Sequence, residues 1–316
     1  MRRLSAILLL AAAFITSCGQ STKKETRLFD CDYVTTPGDS VLATEIINVL
    51  KNEAAVKEVS TPELMVIAGR SLLGKEYVAG TLDGGEKEIL TLYLNNTDCI
   101  LFVEACTNLA RAAVNPKFPE NNFLSYAADV LQTRYRDGKT EHYSDRIHYT
   151  TEWIRQAQAN GILEDKTLEF GGEVYDHPIN FMSNNIAYYK QIQNAATNEE
   201  AAADLARIKE IENTLNQTPQ YYIKDVNIVK AEPFIQTGDI IGYMAATEGL
   251  DIAHVAMAYV TDPDGNVVYG PHDSNAKVGF MHASMAEMQV VIDHQSISDY
   301  AKGRKSITGI CVARVK

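Results

Sequence analysis

The spacing of apolar residues changes once along this chain, and that change limits the folds it can adopt. Helical spacing covers residues 40–52 and 61–73, and a buried helix should begin at or next to Cys99, because residues 95–98 are rich in N-capping side chains. After Gly238 the pattern becomes short β-type runs separated by turns. A helix followed by a meandering antiparallel sheet predicts an α+β architecture, with the Cys99 helix packed on one face of the sheet.

The predicted strands share β-type composition and turn residues at their ends. They cover residues 239–245, 254–260, 267–269, 289–292 and 307–315, with one more that runs into His282. Residues 262–265, Asp-Pro-Asp-Gly, predict a turn, because Pro presets one dihedral angle and Gly permits a positive one. Between about residue 108 and residue 234 the chain is polar, rich in aromatic residues and largely helical in its spacing, with a surface helix expected over 198–215.

The N-terminus has the pattern of an export signal. Arg2 and Arg3 precede an apolar run over residues 6–15, which is too short for a membrane-spanning helix of about 20 residues. The small residues before Cys18 resemble a bacterial lipobox, in which cleavage leaves a lipidated cysteine as the first residue. We therefore expect a signal peptide over residues 1–17, a lipidated tether over 18–39, and a membrane-anchored protein of the bacterial envelope that faces the periplasm or the cell surface.

The remaining cysteines and the overall charge exclude several alternatives. Cys99 and Cys106 would be separated by about 10 Å of helix rise, which is beyond the roughly 7 Å that a disulfide tolerates between Cα atoms. Pairing of Cys31 with Cys311 stays open. The net charge of −12 argues against a nucleic-acid partner, because such a partner requires a basic surface.

The chemistry-bearing residues are one cysteine and two histidines. Cys99 follows Asp98 at the predicted helix start, where the helix N-terminus and a nearby imidazole would lower the thiol pKa, so we expect a reactive thiolate. His254 opens one apolar strand and His282 follows another. A cysteine on a helix and then a histidine and a polar residue on successive strands is the order of a papain-like triad. Such strand histidines are more often structural, so the order alone does not decide between the two interpretations.

A family resemblance adds to this pattern. Residues 74–80 (Gly-Lys-Glu-Tyr-Val-Ala-Gly), Asp98–Cys99, His254–Val255 and His282–Ala283 look like the signature of the NlpC-type cell-wall cysteine peptidases. The longer context resembles one branch, the N-acetylmuramoyl-L-alanine amidase-like family. That context comprises residues 98–104, 134–138, 144–149, 153, 221–223, 238–241 and 249–254. The resemblance extends over about residues 40–300.

The resemblance implies a fold and a set of site residues. The fold is a papain-like catalytic domain over residues 40–316 with a large, mainly helical insertion at about 110–235. Cys99 resembles the nucleophile, His254 the general base and acid, and His282 the residue that orients His254. The implied substrate contacts are Tyr77, Asp98, Arg146, Tyr149 and Trp153. His272 is a competing candidate for the third catalytic position, but His282 is preferred because Ala283 and Ser284 follow it as in the family.

The implied reaction is hydrolysis of the amide between N-acetylmuramic acid and L-alanine in peptidoglycan fragments (muropeptides). Two alternatives stay open: a γ-D-glutamyl-diamino acid endopeptidase acting on the stem peptide, and a lipoprotein that only binds muropeptides. Arg134, Arg136 and Arg146 could bind the free carboxylates of the stem peptide. A zinc site at His254 and His282 is disfavoured, because no His-Glu helix pair or Cys-x-x-Cys motif accompanies these histidines. We expect no metal, no other cofactor and no obligate protein partner.

Overall fold

The structure, a computed structural model, describes residues 31–85 and 87–316. The predicted signal peptide, Cys18 and the first part of the predicted tether lie outside the described residues. The folded body includes residues 31–39, which precede the predicted start of the catalytic domain at residue 40. Tyr33 packs on Phe123 with ring centroids 5.7 Å apart, and the buried Asp39 carboxylate accepts hydrogen bonds from the backbone N–H of Leu94 and Asn95. These contacts fix the segment to the core.

The helices of the described part begin at recognisable caps. Thr36 and Ser60 cap the first two, and Ser60 forms a reciprocal capping box with Glu63. The α-helices are α1 Pro37–Val56, α2 Thr61–Ser71, α3 Cys99–Val114, α4 Asn122–Arg134, α5 Thr150–Ala159, α6 Phe181–Asn184, α7 Glu199–Gln217, α8 Ile228–Ala231 and α9 Ile297–Lys302. The predicted helix start at Cys99 is confirmed.

One large, mostly antiparallel sheet forms the centre of the molecule. Its strands run in the order β4-β2-β11-β10-β9-β8-β12-β7-β6, with β5 paired to β12 beside this path, and a separate pair joins β1 to β3. The strands are β1 Tyr33–Val34, β2 Glu76–Tyr77, β3 Leu90–Thr91, β4 Asn96–Thr97, β5 Leu163–Asp165, β6 Glu173–Val174, β7 Tyr221–Lys224, β8 Ile240–Ala245, β9 Ile252–Thr261, β10 Lys277–Ser284, β11 Gln289–Asp293 and β12 Ile307–Val315. Sheet and helices together confirm the α+β class.

Helix α3 packs on strands β9 and β10 and fixes the position of its own N-terminus over the sheet. Its side chains Phe102, Val103 and Cys106 are fully buried in the main core. Gly69 of α2 allows the same close packing, because a Cβ there would lie 2.9 Å from the terminal carbon of Met257 on β9. The start of α3 is thereby held by tertiary packing as well as by its cap.

The region of the predicted insertion is not separate from the sheet. It contains helices α4 to α8 but also β5 and β7, which both pair with β12. The predicted strand at 267–269 is not formed; only Val267 makes an isolated bridge, to Thr261. The turn at 262–265 is confirmed, with Gly265 at φ +86° and its N–H bonded to the Asp262 carbonyl at 3.0 Å.

None of the helices within residues 31–85 and 87–316 combines the length and apolar character needed to cross a membrane.

Candidate active site

Cys99 is the first residue of α3 and is only partly exposed. Asp98 caps the helix, its carboxylate accepting the Leu101 N–H at 3.0 Å. The cap therefore fixes the helix start at Cys99.

Both histidines come from adjacent antiparallel strands, His254 from β9 and His282 from β10. His254 Nε2 lies 2.7 Å from His282 Nδ1, and the two rings meet edge to face with centroids 4.9 Å apart. Tyr243 stacks on His254, and Tyr300 of α9 contacts both imidazoles. These aromatic contacts hold the histidine pair in one orientation.

A cavity of about 610 Å³ brings Cys99, His254 and His282 to one surface. We call it the main cavity; its further lining includes Tyr77, Ser284, Glu287, Asp293, Tyr300 and Arg304. The three residues come from chain positions more than 150 residues apart at the extremes, so only the fold brings them together.

The pKa values in this site favour an uncharged resting state. Burial, reinforced by the Asp98 carboxylate, raises the pKa of the Cys99 thiol to about 12, although backbone N–H groups of Val255, Ile100 and Cys99 oppose the shift. Burial also lowers the pKa of His254 to about 3, with His282 and Arg304 adding to the effect. The expected low-pKa thiolate is therefore wrong for this resting geometry, because desolvation outweighs the helix N-terminus.

The second histidine is also neutral near pH 7. Burial lowers the pKa of His282 to about 4; Asp293 opposes that shift and Arg304 adds to it. If His254 is to accept a proton from Cys99, its lone pair must be on Nδ1 and its N–H on Nε2. Nε2–H then donates to His282 Nδ1, and among the described residues no hydrogen bond engages His254 Nδ1.

Tyr77 is placed beside the cysteine by a short parallel strand pair. Strand β2 pairs with β4, with Tyr77 opposite Thr97, two residues before Cys99. The side chain is half-buried, and burial together with Cys99 and Asp98 raises its pKa, so the phenol keeps its proton. A protonated phenol can donate a hydrogen bond into the main cavity.

A second cavity of about 240 Å³ lies on the other side of the α3 start. We call it the aromatic cavity; its lining includes Asp98, Ile100, Tyr143, Arg146, Tyr149 and Tyr189. Cys99 lines the main cavity, while its sequence neighbours Asp98 and Ile100 line this one. The two cavities therefore meet at the first turn of α3.

Arg146 and Tyr149 line the aromatic cavity, and both have polar partners within the protein. The Arg146 guanidinium is 4% exposed and donates through Nη2 to Asp83; its Nε lies 3.5 Å from Glu88 without forming a hydrogen bond. The Tyr149 hydroxyl donates to Glu212 at 2.7 Å and accepts the Met182 N–H at 2.9 Å. Both residues shape the wall of the cavity, and protein groups already hold the Arg146 charge and the Tyr149 hydroxyl.

Three other residues singled out from the sequence lie away from the main and aromatic cavities. Trp153 is 3% exposed and belongs to the main hydrophobic core. Arg134 is buried and donates through both Nε and Nη2 to Glu104 Oε2, and Arg136 pairs with Glu152. The arginines expected to receive substrate carboxylates thus have protein carboxylates as partners.

His272 lies outside the main cavity. Its ring nitrogens contact the backbone carbonyls of Asp273 and Ile235 at 3.0 and 2.8 Å. Of the two candidates for the third position, the structure brings only His282 to His254.

Sequence reasoning missed Tyr300, Asp293 and Arg304. All three follow β10 in the chain and line the main cavity: Asp293 lies in β11, Tyr300 in α9 and Arg304 in the loop after α9. No local motif marks them, because their position depends on how the last elements pack over the histidine pair.

The four cysteines that the structure describes are free thiols, so Cys31 and Cys311 are not paired. The Cys31 Sγ contacts the Thr140 hydroxyl at 3.2 Å, whereas Cys311 lies in β12 opposite Gly242. Within the same described residues, no group of three or more His, Cys, Asp or Glu side chains is arranged to hold a metal ion.

One family model and several solved structures are similar to this chain. The sequence model of the AmiA-like family, described as N-acetylmuramoyl-L-alanine amidase-like, matches residues 67–310. A crystal structure of an N-acetylmuramoyl-L-alanine amidase from Bacteroides uniformis is 29% identical to this chain with a TM-score of 0.68, and the match covers 81% of this chain and 99% of the amidase. A second crystal structure of an amidase from the same species is 30% identical with a TM-score of 0.67, and the match again covers 81% of this chain and 99% of the amidase. A xylanase candidate from Bacteroides fragilis is 29% identical with a TM-score of 0.64, covering 78% of this chain and 98% of its own. No curated protein is similar enough in sequence to match this chain.

Proposed function

This chain belongs to the N-acetylmuramoyl-L-alanine amidase-like family, and on that premise we propose that it is a cysteine amidase with an NlpC-type papain-like core. The proposed reaction is hydrolysis of the amide between N-acetylmuramic acid and L-alanine in muropeptides. The observation that carries the proposal is the main cavity, where Cys99 at a helix start and the hydrogen-bonded His254–His282 pair share one surface.

In the proposed acylation step, Cys99 transfers its proton to His254 Nδ1 as Sγ attacks the lactyl carbonyl carbon. The raised thiol pKa and lowered imidazole pKa make this transfer concurrent with attack rather than prior to it. The negative charge that develops on the carbonyl oxygen meets the N-terminal end of α3, and Tyr77 donates a hydrogen bond to it.

The thioester forms when the C–N bond breaks. The imidazolium of His254 gives its proton to the departing L-alanine nitrogen, so the peptide leaves as a neutral amine. His254 then accepts a proton from water as the water oxygen attacks the thioester carbon. The C–S bond breaks, the His254 imidazolium returns the proton to Cys99 Sγ, and the muramic acid carboxyl group is released. His282 stays the hydrogen-bond acceptor for His254 Nε2 throughout and stabilises the imidazolium in both steps.

The wall beside the cysteine suits an acylated L-alanine nitrogen. Ile100 lines the aromatic cavity and offers no partner for a free ammonium, and the Asp98 and Asp83 carboxylates of the same lining are already engaged by the Leu101 N–H and by Arg146. A substrate whose L-alanine nitrogen is already part of an amide carries no such charge. This favours cleavage at the muramyl bond over cleavage further along the stem peptide.

Product analysis tests the proposal directly. Residues 18–316 would be incubated with a muramyl tripeptide and the products identified by mass spectrometry, with Cys99→Ala as the blank. The expected products are free N-acetylmuramic acid and an intact tripeptide that begins with L-alanine. Muramyl dipeptide plus a free diamino acid would instead identify an endopeptidase, and binding without turnover would identify a muropeptide-binding protein.

We also propose that Cys18 is acylated and holds the protein at a membrane of the bacterial envelope. The support is the order of two arginines, a short apolar run and small residues before Cys18. Cys18→Ala should release the protein from the membrane fraction and remove labelling by a fatty-acid probe. Labelling that survives this substitution would contradict the proposal.

A further inference from the structure

Arg304 is the sole lysine or arginine among the described residues that line the main cavity. It follows α9 and is exposed to solvent. No described carboxylate lies within ion-pair distance of its guanidinium, whereas Arg134, Arg136 and Arg146 each have such a partner. The Arg304 charge is therefore available to a ligand.

The guanidinium is held in place although it has no carboxylate partner. It lies over the Tyr300 ring, 3.4 Å from the centroid, and Nη1 donates to the Tyr300 carbonyl at 3.0 Å. The same ring contacts His254 with centroids 5.9 Å apart. The guanidinium and the imidazole thus contact the same aromatic ring, and Arg304 contributes to lowering the pKa of both histidines.

The direction of the substrate follows from the chemistry of the leaving group. His254 must contact the departing nitrogen to protonate it, so the peptide that carries this nitrogen extends from the histidine side into the main cavity. In a stem peptide the second residue is D-glutamate linked through its γ-carboxyl, which leaves its α-carboxylate free. Two residues of extended chain, at roughly 3.5 Å each, span the distance between two groups that contact one aromatic ring.

We propose that Arg304 binds the free α-carboxylate of the second residue of the departing peptide and makes the enzyme select acidic over amidated stem peptides. This inference rests on the proposed amidase function. Glu287 and Asp293 line the same cavity, so a carboxylate needs a fixed cation to enter it. The planar fork of Arg304 offers two parallel N–H donors, the geometry that suits a carboxylate.

The test compares two substrates and three variants. The substrates are muramyl-L-Ala-γ-D-Glu-L-Lys and the same compound with the glutamate α-carboxylate converted to its amide. Arg304→Gln should lower kcat/KM for the acidic substrate roughly 10- to 100-fold and should affect the amidated one far less. Arg304→Lys, which keeps the charge without the fork, should recover part of the loss. Lys302→Gln, which removes a nearby positive charge outside the cavity, should leave the ratio between the two substrates unchanged.

A binding measurement separates this inference from the proposed function. Calorimetric titration of the Cys99→Ala variant with the tripeptide L-Ala-γ-D-Glu-L-Lys measures the affinity for the peptide without any turnover. Adding Arg304→Gln should weaken that affinity by a factor similar to the loss of kcat/KM. Carboxylate-dependent binding with no hydrolysis by the wild type would overturn the amidase and keep only Arg304 as the binding group for the α-carboxylate. Equal losses on both substrates, or tripeptide binding that does not depend on Arg304, would overturn the inference and leave the amidase standing.

Discussion

Two groups of polar residues in this molecule differ in whether the protein itself supplies their charged partners. In the main cavity, Cys99, His254 Nδ1 and Arg304 lack charged partners of their own. In the region of the predicted insertion, Arg134 and Arg136 are bound by protein carboxylates. The residue types of the second group suggest a substrate site as strongly as those of the first.

The difference shows that a polar side chain without a partner in the protein indicates a candidate site better than its residue type alone does. A buried arginine that donates two hydrogen bonds to a protein carboxylate has already used its donors, and its contribution is to the fold. A guanidinium fixed by an aromatic ring and a backbone carbonyl retains that geometry for a ligand. The following predictions test this contrast between satisfied and unsatisfied groups.

The largest effect is expected at Cys99. Cys99→Ala should reduce kcat by roughly 10⁴-fold or more, because no other described group in the main cavity is a thiol nucleophile. The thermal midpoint should change little, since the side chain is only partly buried. Cys106→Ala, at a fully buried thiol in the same helix, is the matched control and should change stability more than turnover. Retained activity in Cys99→Ala would remove the proposed mechanism.

The histidine pair should show a graded response. His254→Ala should cost nearly as much turnover as loss of the thiol, because members of a catalytic unit are not additive. His282→Asn can still accept the hydrogen bond from His254 and should keep measurable activity. His272→Ala should be close to neutral, since its nitrogens contact backbone carbonyls outside the cavity. An essential His272 with a dispensable His282 would contradict the assignment.

Substitution of an arginine that is paired with a protein carboxylate should change the free energy of unfolding rather than substrate recognition. Arg134→Met leaves the Glu104 carboxylate buried and unpaired, which should lower the free energy of unfolding by about 3–5 kcal/mol. Adding Glu104→Gln should recover part of that loss, as measured by denaturant titration. A selective rise in KM for acidic substrates at unchanged stability would instead make Arg134 a ligand group.

The smallest effect concerns acid sensitivity. The pKa of His254 falls to about 3 and that of His282 to about 4, below their ordinary value of 6.5. At a pH between the lowered pKa values and 6.5, the unfolded chain binds more protons than the folded one. These histidines therefore stabilise the fold above pH 6.5, and that stabilisation is lost as the pH falls towards 4. The double variant His254→Gln/His282→Gln should therefore lose less thermal stability than the wild type between pH 7 and pH 5. Parallel curves for the two proteins would contradict the neutral resting pair.

Local signals explain what the sequence could predict. The capping cluster before Cys99 predicted the start of α3, and the β-type run at 307–315 predicted β12 with its bounds. Both signals lie within a few neighbouring residues. The neutral thiol was not predictable, because burial of Cys99 depends on packing against β9 from far along the chain.

The partners of the arginines depend on distant contacts in the same way. Arg134 meets Glu104 across the contact between α3 and α4, and Arg146 meets Asp83 from a loop that precedes α3. Arg304 has no motif around it and reaches the cavity only through the packing of α9 against β10. Sequence spacing identified candidate charges but could not show which of them the fold would pair.

The position of β12 affects how the sheet can assemble. The strand lies between β8 and β7 and also pairs with β5, and these three strands come from separate parts of the chain. Until residues 307–315 are in place, the edges of the three strands stay unpaired and open to other chains. Closure of the sheet depends on pairing of distant segments, which is slow. A chain in which β12 has not docked therefore presents three open strand edges, and aggregation is the expected failure of its folding.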